Sequence, residues 1–273
     1  MDLSIIKRIL RFRIVFQTIK DNLKATIILT LLFSGMAAMY AAMFPQFKDM
    51  MLEMMQSGNL DTFAFIEGYQ DMGTYIGFLN IEMYQIFWVL ILGIIIAFIS
   101  ATSISKEIES KTIDILMSNP VSRKQIIFEK FVGLIPMLLI VNFTAMLVVM
   151  GVTVGINEEV NFGYLLLTHV ISIPYFLAII ALSILISTII DEKMRAGIVT
   201  MAIVVGMYIF ESIGNMIPDY ENLGLISLTH YYSPYDALKY GAIDGIGNAV
   251  LLGFTVIAVI VAIIYFDRKD ITL

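Results

Sequence analysis

Residues 105–130 read SKEIESKTIDILMSNPVSRKQIIFEK, a charged island set between two long uncharged apolar runs. About 20 apolar residues suffice for one helical crossing of a bilayer. Runs of that kind flank the island and recur at 25–44, 83–103, 131–154, 164–190 and 249–266, with a further span at 194–213 whose charge-free part, 196–210, Glu211 cuts short of a full crossing. A chain of 273 residues that is 59% hydrophobic and 15% charged, with mean hydropathy +0.88, is not an ordinary soluble domain. The expected fold is an all-α membrane protein, with 1–273 forming a single transmembrane domain of six transmembrane helices. Cysteine is absent, so neither a disulfide framework nor thiol chemistry is expected.

Orientation follows from the Lys and Arg residues of the connections. The N-terminal segment carries six (Lys7, Arg8, Arg11, Arg13, Lys20, Lys24) and the island connection five (Lys106, Lys111, Arg123, Lys124, Lys130). The fourth connection adds Lys193 and Arg195, and the tail Arg268 and Lys269. Against these fifteen, the other side has only Lys48 and Lys239. Both termini are therefore expected in the cytoplasm of a multi-pass plasma-membrane protein.

The first residues do not read as a signal peptide, because basic and apolar residues are interleaved. Ile5, Ile9, Phe12, Phe16, Ile19 and Leu23 fall on one helical face, with most of the basic residues off it. The spacing predicts an amphipathic interfacial helix over 1–24 running into the first span. Within the island, Ser105–Met117 lacks Gly and Pro, and Glu107 and Lys111 stand at i, i+4, so a short helix is expected there. Pro120 stops it, and Ser122 with Gln125 has capping-box spacing for the helix that enters the third span. The expectation is a cytoplasmic helix and knuckle over 104–122, whether a docking element for a partner or a stiff loop.

From Ser105 through Pro120-Val121-Ser122-Arg123 the island resembles the signature of type-2 ABC exporter permeases. The likeness extends to the basic helix before the first span, the long first outer loop and the closing Phe266-Asp267-Arg268-Lys269-Asp270. What the resemblance implies is a six-span subunit that forms a homodimer or heterodimer and binds cytosolic ABC ATPase subunits. The island would be the coupling helix, carried by Glu107, Glu109, Thr112, Asp114, Leu116, Pro120, Val121 and Arg123. Lys111 stands where the family commonly has Gly. The sequence holds no G-x-x-x-x-G-K-[ST]. ATP and Mg would therefore be bound by the partner ATPase, and no cofactor, metal, catalytic residue or nucleic-acid partner is expected here. The implied activity is outward transport of a hydrophobic, amphipathic or peptide-like substrate, as in multidrug or antibiotic efflux. The alternative is a non-transport membrane anchor or regulatory module that recruits a cytosolic partner through 105–130.

Other features weigh less. No ionisable residue sits at the centre of a span, which argues against an ion-coupled carrier. His169, near the outer end of span four, reads as an interhelical hydrogen-bonding residue. Met50, Met51, Met54 and Met55 read as an adaptable apolar face rather than a soft-metal site. Gly151 and Gly155 form G-x-x-x-G, a possible helix contact. Trp88, Tyr75, Tyr84, Tyr231, Tyr232 and Tyr235 stand where an aromatic belt is expected. Between spans five and six, residues 212–248 mix apolar stretches with Pro and Gly, which suits re-entrant or short outer helices.

Overall fold

The first apolar run does not stop at Phe44. In the computed structural model, which describes residues 12–56, 65–112 and 121–269, α1 is one continuous helix, Arg13–Gln56, with Pro45 inside it. At about 1.5 Å per residue, such a helix is more than twice as long as the bilayer core is thick. The part of the expected interfacial helix from Arg13 onward is therefore the first stretch of α1; residues 1–11 lie outside the described residues. Phe12, Phe16 and Leu23 point outward, while Ile14 and Thr18 face the protein.

Five further long helices follow: α2 (Tyr75–Glu109), α3 (Arg123–Gly155), α4 (Phe162–Ile189), α5 (Lys193–Met216) and, after the short α6 (Pro234–Tyr240), α7 (Gly245–Arg268). Six of these helices are long and apolar enough to cross a membrane. Every regular element among the described residues is helical. Between α5 and α7 the chain forms short helices, 3-10 turns over Pro218–Ile226 and Thr229–Tyr231 and then α6.

α2 is not α-helical throughout. Asn80–Leu92 is π-hydrogen-bonded, a pattern usually confined to single turns. Its wider turn keeps residues four apart on one line, and Asn80, Tyr84, Trp88 and Leu92 are all fully buried. Trp88 packs edge-on against Tyr84, Phe33, Phe176 and His169. The aromatic-belt reading is therefore corrected for Trp88, Tyr84, Tyr75 and Tyr232, which lie inside the bundle. His169 is buried with them, its Nδ1 2.8 Å from Asn142 Oδ1 and its Nε2 3.0 Å from the Tyr84 hydroxyl.

α1 packs along α3, where Gly133 makes the approach possible: a Cβ there would lie 2.6 Å from Thr18 Cβ. A Cβ added at Gly151 or Gly155 would meet nothing within 4 Å, so neither marks a close helix approach among the described residues. The outward faces of α1, α5 and α7 expose Leu31, Ile198, Val256 and Ile257, as a hydrocarbon surrounding requires.

Candidate functional site

The island joins the end of α2 to the start of α3, and its charged side chains turn inward as much as outward. α2 ends at Glu109, so the expected helix over Ser105–Met117 is interrupted at 110–112, and 113–117 lie outside the described residues. The cause is local. Lys111 adopts a left-handed backbone, φ 56°, the conformation that commonly terminates helices and favours Gly. The chain then folds back, and Thr112 Oγ1 donates to Glu107 Oε2 at 2.9 Å.

Glu107 is held from a second direction. Its Oε1 lies 2.7 Å from Lys130 Nζ, and the two side chains are only 16% and 6% exposed. Glu109 Oε2 accepts the backbone N–H of Lys193 at 2.7 Å, placing a carboxylate on the N-terminus of α5, where the helix dipole favours it. Inside α2, the backbone N–H groups of Ile104 and Ser105 donate to Ser187 Oγ of α4 at 3.0 and 2.9 Å.

The first turns of α3 complete the cluster. Ser122 Oγ accepts the N–H of Gln125 at 3.2 Å, the cap that the sequence spacing predicts. Arg123 donates to the carbonyl of Lys269 at 2.6 Å, reaching the end of α7. Glu129 is buried, 1% exposed, and its Oε2 accepts the N–H groups of Ile14 and Val15 at 3.0 and 3.2 Å. It thus satisfies two otherwise unpaired donors at the start of α1. Lys269 in turn donates to the Thr188 carbonyl at 2.8 Å and pairs with Asp191, reaching the end of α4.

Of the residues singled out from the sequence, Glu107 and Thr112 bond one another, Glu109 reaches the start of α5, Arg123 reaches the end of α7, and half-buried Val121 packs against the core. Asp114, Leu116 and Pro120 lie outside the described residues. Lys106, Glu109, Ser110 and Lys111 remain exposed. Sequence reasoning missed Glu129, Lys130 and Ser187. The signal for the first two was present: an acid and a base stand side by side at the threshold of an apolar run. The arrangement ties the ends of six long helices, α1 to α5 and α7, to one another around the junction. Among the described residues no group of three or more His, Cys, Asp or Glu side chains could hold a metal ion.

The family model described as ABC-2 family transporter protein matches residues 18–271, nearly the whole chain. A comparison with curated proteins gave no match. The family match and the six apolar helices agree. The chain belongs to the ABC-2 family of transporter proteins and is a transmembrane component of an ABC transporter.

Proposed function

We propose that this chain is the membrane subunit of an ATP-driven exporter, paired with a second permease copy and driven by separate cytosolic ATPase subunits that bind ATP and Mg. The island, with both termini, faces the cytoplasm, in keeping with the fifteen basic residues on that side. The substrate class is hydrophobic, amphipathic or peptide-like, because the spans carry no ionisable pathway at their centres. The observation that carries this reading is the junction itself. Glu107 and Lys130 fasten the segment Lys106 to Lys111, exposed at Lys106, Glu109, Ser110 and Lys111, to the start of α3, and Glu129 fastens α3 to the start of α1. A load applied there has a direct route into the bundle.

The test is purification of the tagged chain in mild detergent. A P-loop ATPase in stoichiometric amount, with hydrolysis that rises when the pair is reconstituted in lipid, is the expected result. Purification without any nucleotide-hydrolysing partner, from cells that express one, would favour a regulatory anchor instead.

A further inference from the structure

The end of the bundle remote from the island is short of positive charge. Its connections, residues 45–82, 156–163 and 214–248, contain Lys48 and Lys239 and no other Lys or Arg. Both are engaged: Lys48 Nζ lies 4.0 Å from Glu158, and Lys239 pairs with Asp71 and Tyr235. A second copy of the chain would bring the same two lysines and the same pairings.

At this end a cavity of about 240 Å³ opens between α2, α5, the short helices before α7 and the loop before α2. Gln85, Glu211, Asn215, His230, Ser233 and Glu67 line it. The Glu67 carboxylate has both oxygens 2.7 Å from Ser233 Oγ, yet a hydroxyl has a single proton to give. One oxygen of a partly desolvated carboxylate is thus left without a donor. Burial pushes the Glu67 carboxyl above its ordinary range, and the neighbouring Asp236 and Glu211 add to the rise. Glu211 has one donor too, His230 Nδ1 at 3.0 Å.

Two carboxylates face a cavity lined by one imidazole and, among the described residues, by no Lys or Arg. What completes such a site is a cation that also donates hydrogen bonds. No group of three or more His, Cys, Asp or Glu side chains that could hold a metal ion exists among the described residues. A primary ammonium brings three N–H donors and full charge without strict coordination geometry. The Gln85 and Asn215 side-chain carbonyls add neutral acceptors.

We infer that this cavity is a binding site for a primary ammonium group, recognised by Glu67 and Glu211. The group arrives either on a soluble amine or on an aminophospholipid headgroup of the adjacent leaflet. The site lies at the opposite end from the junction, so the inference stands independently of how ATP hydrolysis is coupled.

The experiment uses the full chain in phosphatidylcholine nanodiscs, titrated with ethylammonium chloride while the thermal unfolding midpoint is followed. A saturable rise of several degrees is expected, with tetramethylammonium and sodium at equal ionic strength producing less than half of it. Glu211→Gln and Glu67→Gln each weaken the half-saturating concentration tenfold or more. If Glu67→Gln does not assemble, Glu211→Gln decides alone. Replacing part of the phosphatidylcholine by phosphatidylethanolamine separates the sources. A raised midpoint that ethylammonium no longer increases assigns the lipid headgroup, and an unchanged response assigns a soluble amine. A rise no larger than that of sodium, or one equal in wild type and Glu211→Gln, overturns the inference.

Discussion

Glu107 Oε1 and Lys130 Nζ lie 2.7 Å apart across the whole island, joining the last turn of α2 to the second turn of α3. Such a pair draws its importance from what is left when one member is lost. Removing one partner of a buried ion pair typically costs about 3–5 kcal/mol, because the other charge stays desolvated. Lys130→Met is therefore expected to lower membrane level and thermal midpoint sharply. The swapped double variant, Glu107→Lys with Lys130→Glu, should recover a large part of the loss. Equal loss in the single and swapped variants, measured by fluorescence-detected size exclusion, would show that the pair is incidental.

Lys111 carries a left-handed backbone that costs a non-glycine residue about 1–2 kcal/mol. Lys111→Gly should raise the midpoint without altering assembly, and Lys111→Val should lower it. This also gives a physical reason for the Gly that the resembling exporter permeases commonly carry at that place: it is the residue that ends the helix at least cost. A midpoint that falls in Lys111→Gly would mean that the lysine side chain, not the backbone, matters there.

At the far end, Asp71 is clamped by Lys239 and Tyr235 of α6. Partial burial pulls the Asp71 carboxyl up, but those hydrogen bonds outweigh it and hold it below the ordinary carboxylate range. Its contribution to stability is therefore present above about pH 4, the unfolded value for Asp, and lost as pH falls through the lower folded value. Half-exposed pairs of this kind contribute up to about 1 kcal/mol. The midpoint difference between wild type and Asp71→Asn should be constant from pH 8 to 5 and shrink below pH 4. A difference that grows on acidification would reverse the assignment.

The spans were legible because a charge-free length admits few other readings, and Ser122 with Gln125 marked the start of α3 through purely local chemistry. What escaped was set by tertiary structure. The left-handed turn at Lys111 breaks a segment whose composition favours helix. The π stretch of α2 hides Trp88 and Tyr84, whose residue types suit a membrane interface as well as a core. Glu107 reads as the i, i+4 partner of Lys111, and the resemblance places it with Glu109 on a coupling helix. The fold brings Lys130 and the start of α5 to them, and no local spacing could announce that. Glu129 is the clearest case, since its partners at Ile14 and Val15 lie more than a hundred residues away.

The central claim, that the exposed face of the island receives an ATPase, is tested most directly by site-specific cross-linking. The chain has no cysteine, so a single Ser110→Cys supplies a unique attachment point. Met50→Cys, 44% exposed at the far end of α1 before substitution, is the control. A short photoactivatable cross-linker on each variant is activated in membranes, and the adducts are probed for a nucleotide-binding partner. The account predicts an ATPase adduct from Ser110→Cys, changed in yield by ATP, and none from Met50→Cys. Equal adducts from both positions, or none from Ser110→Cys at normal membrane level, would contradict it.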